Sequence, residues 1–479
     1  MKNGGTVIES GGFGCIFKPQ IKCNPKYIIG NNNIYDKNGI SKIMRQNNAL
    51  DEYTELIKFI PILKTIPNYN DYFLISQFSI CRPNKLTKDD LKNYDVVNCS
   101  SLKKKGITKN NINQQLDKLL TLNMPYGGVD LDCYISKILY EYNHIIVFNH
   151  KMIELLNNAI LPMNKRGIYH SDLKANNILV NNENQHLRFR IIDWGLSTIY
   201  FPGKKLEKLD SDVEYINDWK YIPHVYRDRP FQFNVPFSCI LFSTIFKEMY
   251  EDFLMTTKGT KKELNDFIVK FVKTQIDHRG SGHLSNFKSI FQKMYGTPEY
   301  FDTIKSINMG IMNKRSNKED INLKHIKYIY NYIFDILVKF TKNKKFDVLG
   351  YLNTVYIKNV DIWGFVMSFL PLTERLMQYE MIEPSSKTDF YRRMIHKSMK
   401  QLIYILLKYS YLPINVDKIN QVIILLNINL QKLNETPVLL QKLKTRQIQS
   451  VKIRSKIRSM RRSFTRKMNK NNNNYRHSI

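Results

Sequence analysis

The sequence has no apolar run of the roughly 18 residues that crossing a bilayer requires. Its richest stretches, Val235–Phe246 and Trp363–Leu372, fall well short. It has no Cys-x-x-Cys pair. Cys15, Cys23, Cys81, Cys99, Cys133 and Cys239 are scattered, which argues against a zinc site or a disulfide framework and fits a reducing compartment. The opening MKNGGTVIES has a lysine but no apolar core, which argues against a secretory leader. Acidic residues are scarce: 42 Asp+Glu face 73 Lys+Arg in 479 residues, a net charge of +31. That imbalance does not deny the chain a core, because 43% hydrophobic against 24% charged residues is the balance of packed proteins. The length permits one large domain or two to three ordinary ones. The expectation is a strongly basic cytoplasmic protein.

The basic charge is uneven. Residues 442–479 hold 13 Lys+Arg and no acid, with Ile453, Ile457, Met460 and Phe464 on one helical face. Such a segment suits an anionic partner, either nucleic acid or an acidic surface, and equally suits docking on the chain's own body. Ser455, Ser459 and Ser463 each follow an arginine and are candidate phosphorylation sites. Asn, Lys and Ile are abundant throughout, which AT-rich codons alone would produce.

Along the chain, Val7–Lys18 reads as two strands joined by a glycine turn. Asn24–Asn38 reads as a polar connector and Ile40–Met44 as a strand. Ala49–Ile60 suits a helix that Pro61 and Pro67 limit. Tyr72–Ile80 is strand-like, Asn84–Asn113 reads as an inserted loop, and Leu119–Met124 reads as a strand ending at the breaker cluster Pro125–Gly128. Helical spacing then carries Met152, Leu156, Ala159, Ile160 and Met163 to a cap at Gly167. Two short β-like runs, Ile178–Val180 and Phe189–Ile192, follow.

Three pieces carry chemistry. Ser10-Gly11-Gly12-Phe13-Gly14-Cys15-Ile16 would let backbone N–H groups approach phosphate oxygens, although a plain glycine hairpin explains it as well. In His170-Ser171-Asp172-Leu173-Lys174-Ala175-Asn176-Asn177 one loop holds a carboxylate able to accept a proton, a lysine able to neutralise a phosphoryl group, and an amide able to hold a cation. In Ile191-Ile192-Asp193-Trp194-Gly195 a strand ends in a second carboxylate suited to a metal.

The second and third pieces resemble the catalytic loop and the Asp-Phe-Gly motif of eukaryotic-type protein kinases. The resemblance implies an α+β, bilobal fold with a small β-rich N-lobe, a larger helical C-lobe and a long insertion. It divides the chain into an N-lobe at 1–128 (with an insertion at about 83–115), a C-lobe at 129–202, an insertion at 203–351 including the activation-segment region, further C-lobe helices at 352–441 and the tail at 442–479. ATP and Mg²⁺ are the implied cofactors. Asp172 would be the catalytic base and Lys174 the γ-phosphate contact, with Asn177 and Asp193 the Mg²⁺ ligands. Ile8, Ser10, Gly11, Gly12, Phe13, Gly14 and Ile16 would surround the nucleotide, and Lys42 would hold its phosphates in partnership with Glu52, or with Glu55 just behind. Met124 would lie at the adenine hinge and Asp130 near the ribose. Asp361-Ile362-Trp363-Gly364 resembles the start of the family's central C-lobe helix, with its glycine early.

Several positions depart from the family pattern. Glu9 stands where the first loop glycine is usual, Ser171 replaces the usual arginine, and Trp194 replaces phenylalanine. No Ala-Pro-Glu string is present, and Arg229–Ser238 is the candidate to replace it. Asp-Leu-Lys at 172–174 resembles serine/threonine kinases, implying Ser/Thr of protein substrates as acceptors. Small-molecule phosphotransferases and a catalytically silent scaffold are the alternatives. The residue bias and Met-Pro-Tyr-Gly-Gly resemble serine/threonine kinases of giant nucleocytoplasmic DNA viruses such as mimivirus-like ones, which would imply the host cytoplasm or the virion.

Overall fold

The computed structural model describes residues 5–10, 14–29, 35–97, 99–139, 141–183, 186–202, 218–287, 324–377, 387–408 and 410–435. The expectations placed on 11–13, on the 442–479 tail with its three serines, and on 203–217 and 288–323 lie outside these residues.

The N-terminal region is built on one sheet. Strands β1 (Thr6–Ser10) and β2 (Gly14–Lys18) form the expected hairpin. Strands β3 (Cys23–Ile29), β4 (Ile40–Arg45), β5 (Ser79–Pro83) and β6 (Leu119–Met124) complete six antiparallel strands in the order β1-β2-β4-β6-β5-β3. The helix Gln46–Leu63 starts as soon as β4 ends, and Ala49, Leu56, Phe59 and Leu63 form its buried stripe. Pro61 sits inside its last turn and does not end it as expected. Asn24–Asn38 is not a connector throughout, because β3 occupies its first part. Pro25 is tolerated there because β3 is a sheet edge, where an N–H is not needed on the open side.

Residues 84–118 are not a loose loop either. Leu86, Leu91, Tyr94, Cys99, Leu102, Ile107 and Ile112 are buried against Val7, Cys15, Phe17, Ile21 and Ile43 of the sheet. Asn113 braces the segment, donating to Leu86 O and accepting from Leu86 N, both at 2.8 Å. Cysteine spacing also misled: Cys15 pairs with Cys99 and Cys23 with Cys81, with Cα atoms 5.7 and 5.6 Å apart. Both pairs join residues far apart in sequence. Pairing of β3 with β5 makes one, and packing of 84–118 on β2 makes the other.

The C-terminal region is mainly helical, giving an α+β fold overall. Four further short strands carry the site: β7 (Val129–Asp130), β8 (Ile168–Tyr169), β9 (Ile178–Glu183) and β10 (His186–Ile191). At the centre lies the helix Ile357–Met367, in which every residue except Lys358 is buried. A helix apolar on all sides has to be interior. One core joins it to the helices Tyr142–Leu155, Thr244–Thr256, Lys261–Arg279, Lys324–Phe340, Lys387–Lys408 and Val416–Asn434. No helix among the described residues is long and apolar enough to cross a membrane.

Candidate active site

The loop after β8 is held from below by a buried acid. Asp361, fully buried on the central helix, accepts from His170 N at 2.9 Å and Ser171 N at 2.7 Å. Burial pushes its carboxyl above the ordinary carboxylate range, which the His170 charge and the two N–H groups only partly offset. Ser171 takes the left-handed conformation, φ 63°, so the chain turns sharply between its anchor and Asp172. Gly364, one turn from Asp361, presses on the same loop: a Cβ there would lie 2.6 Å from Leu173 O. The early glycine of the sequence motif therefore has a local cause.

Above this anchor three side chains converge on Asp172. Lys174 Nζ donates to Oδ2 at 2.7 Å, Asn177 Nδ2 to Oδ2 at 3.0 Å and to the main-chain oxygen at 2.8 Å, and Asn234 Nδ2 to Oδ1 at 2.8 Å. Burial alone would raise the Asp172 carboxyl. The hydrogen bond and charge of Lys174, then the Asn234 amide and His170, outweigh it and hold the group below its ordinary value. Asp172 is thus an ionised carboxylate at neutral pH.

Asn177 spends its Nδ2 on Asp172, which leaves Oδ1 as the atom able to take a cation. Asp193 follows β10 with φ 67° and an exposed carboxylate. One amide oxygen and one carboxylate are hard donors suited to Mg²⁺, which keeps several water or phosphate oxygens of its own. The described residues contain no cluster of three or more His, Cys, Asp or Glu able to hold a metal without such help.

Trp194 ties this half to the sheet. Its ring lies 5.1 Å from His170, 5.9 Å from Phe73 and 5.7 Å from Phe59 of the helix Gln46–Leu63. That helix carries Glu52, whose Oε1 and Oε2 sit 2.7 and 2.6 Å from Lys42 Nζ. Glu55 instead pairs with Lys58 at the surface. Lys42 lies opposite Ile16 on β2 and Leu122 on β6, so the glycine-loop hairpin and the end of β6 flank it.

The remaining expected residues lie on the neighbouring strands and turns. Ile8 is exposed on β1 and Gly14 opens β2, while Ser10 closes β1. Met124 ends β6, its carbonyl accepting from Gln20 Nε2 at 3.2 Å. Gly127 and Gly128 let the next segment touch β9, since a Cβ on Gly128 would lie 2.0 Å from Val180 O. Asp130 Oδ1 caps the helix Leu131–Ile138 through Cys133 N, leaving Oδ2 unspent. Glu9, on β1, is near enough to Asp130 to feel its charge: burial, then that charge, push its carboxyl above the ordinary range.

Residues 111–218 match the family model of the protein kinase domain. The matched segment includes β6, the loop 170–177 and Asp193. It supports the eukaryotic-type protein kinase superfamily and, with it, phosphotransfer of kinase type. Outside that segment lie Lys42, Glu52, Asn234 and Asp361, which the fold brings to the kinase-like loop or to its sheet side. Asn234 carries no local signal in the sequence, because its partner is 62 residues away. It belongs to Arg229–Ser238, the run expected to replace Ala-Pro-Glu. That run lies against the loop, with Arg229 Nη1 donating to Ser171 O at 3.0 Å and Trp363 Nε1 donating to Phe233 O at 2.9 Å.

Proposed function

We propose that the protein is an ATP- and Mg²⁺-dependent kinase that transfers the γ-phosphate to Ser or Thr of protein substrates. The observation that carries this is Asp172, kept ionised by Lys174 and Asn234 beside the free oxygen of Asn177. A carboxylate so held accepts the proton of an attacking hydroxyl, and Lys174 meets the charge on the phosphoryl group in flight. Asn177 and Asp193 would hold Mg²⁺, which when bound offsets phosphate charge. Lys42, oriented by Glu52, would hold the α- and β-phosphates. The residues from Ile8 to Ile16 would cover them, with Met124 at the base and Asp130 at the ribose. In this reading residues 1–128 form the N-lobe, 129–202 and 352–441 the C-lobe, and 203–351 an insertion that also supplies Asn234. The Asp-Leu-Lys order supports Ser/Thr over Tyr.

The test is transfer of labelled γ-phosphate to mixed proteins and to a small-molecule panel, with Asp172→Asn and Lys42→Met alongside and all three shown to be folded. Transfer to protein that vanishes in both variants supports the reading. Transfer to small molecules alone would replace it with a metabolite phosphotransferase. Nucleotide binding with no transfer would point to a silent scaffold.

A further inference from the structure

Besides Asn234, the stretch assigned to the insertion sets a second polar side chain against the run next to the site. His283 follows the helix Lys261–Arg279 and is fastened to Arg229–Ser238. Its N–H donates to Phe231 O at 2.9 Å, and Gly282, φ 50°, packs so closely that a Cβ would lie 2.1 Å from the same oxygen. The imidazole leans on Phe233, ring centroids 5.1 Å apart, and Phe233 precedes the Asn234 that binds Asp172. Phe287, one turn on, stacks edge-on against Phe237 at 4.5 Å. His283 Nδ1 is buried without a hydrogen-bond partner, but the residue as a whole is only partly covered, so Nε2 is the ring nitrogen that an incoming group can reach.

The ring also feels both chemical groups of the loop. Burial lowers its pKa, the Lys174 charge lowers it further and the Asp172 charge opposes them, so the imidazole is uncharged at neutral pH. A neutral ring, mounted on the run that carries Asn234 and with Nε2 unspent, is suited to gripping a polar, uncharged group next to the hydroxyl that attacks.

We propose that His283 is an acceptor-binding residue of this site, contacting the peptide on the acceptor side of Asp172 and Lys174. The proposal rests on the kinase reading and adds to it a surface that selects the acceptor.

The experiment uses the full chain and an arrayed library of Ser-, Thr- and Tyr-containing peptides, with ATP hydrolysis to water as a second readout. His283→Phe keeps a ring against Phe233 and removes the hydrogen bond; His283→Gln keeps a hydrogen bond. For peptides labelled by the wild type, kcat/KM should fall about tenfold in His283→Phe, the loss of one hydrogen bond to a bound group, and recover partly in His283→Gln. KM for ATP and the rate of hydrolysis should stay within about twofold, because neither involves the peptide. Unchanged peptide kinetics in His283→Phe would overturn the proposal. So would parallel loss of hydrolysis and thermal stability, which marks a structural residue, and so would a wild type that hydrolyses ATP yet labels no peptide. A wild type that neither binds nor hydrolyses ATP would instead bring down the kinase reading, and His283 with it.

Discussion

Lys42 and Glu52 form a two-pronged ion pair across only ten residues of chain. The span is short because the helix Gln46–Leu63 begins directly after β4, so its second turn swings the glutamate back over the strand. Glu52→Gln should lower kcat/KM for ATP by about tenfold or more, as expected on losing a partly buried charged pair. Glu55→Gln, at the exposed Lys58 pair, should change it less than about twofold. Steady-state kinetics on both variants decides between the two glutamates.

Asn234 is a positioning residue whose effect shows in pH. Its amide favours ionised Asp172, so Asn234→Ala should raise the Asp172 pKa and move the acid limb of kcat/KM to higher pH. The sign for stability is the usual one for a lowered carboxyl. The contribution is present above the unfolded pKa and is lost as pH falls through the lower folded value. A limb that stays in place while kcat falls would contradict this role.

Removing the anchor should unfold the loop before it alters chemistry. Asp361→Ala leaves two buried N–H groups without acceptors, at about 1–3 kcal/mol each, so a loss of about 2–6 kcal/mol is expected. Urea unfolding checks it.

Gly364→Ala tests a contact instead of a bond. The added methyl meets Leu173 O and the Leu173 side chain, neither of which can swing away freely. The loop should shift and kcat fall by about tenfold or more, with a smaller loss of thermal stability. An alanine variant with unaltered kcat would show that the helix and loop can separate without consequence.

Glu9 should work against nucleotide. It is a carboxylate at the glycine loop, raised by its surroundings and by Asp130. A raised acid favours the fold below its unfolded pKa and loses that contribution as pH rises through the folded value. Glu9→Gln should therefore flatten the decline of melting temperature over that window. At neutral pH it should tighten Mg·ATP by about threefold to tenfold, the scale of one like charge near the surface. Calorimetric titration measures the second effect.

Much of this arrangement was legible because it is local. Asp172, Lys174 and Asn177 share one loop, Asp193 comes two residues after a strand, and the β1–β2 hairpin and β6 announce themselves by alternation and glycine. What escaped was set by long-range packing. The apolar residues of 84–118 are too sparse to show a period, yet they cover a sheet face. The cysteine pairs, Asn234 and His283 reach their places only once distant segments meet. A central helix buried on nearly every side gives no stripe to read, and the string Asp361-Ile362-Trp363-Gly364 alone marked it out.

The loop is finally locked by a neutral clasp with one buried cation. Ser171 Oγ meets the hydroxyl of fully buried Tyr226 at 2.9 Å, and Arg229, 5% exposed, gives its Nη1 to Ser171 O. Ions of the solvent do not reach such contacts. Raising ionic strength should thus leave this clasp untouched, so a dependence of turnover on salt reports the partly exposed Lys42–Glu52 and Lys174–Asp172 pairs and how this basic chain meets its charged ligands.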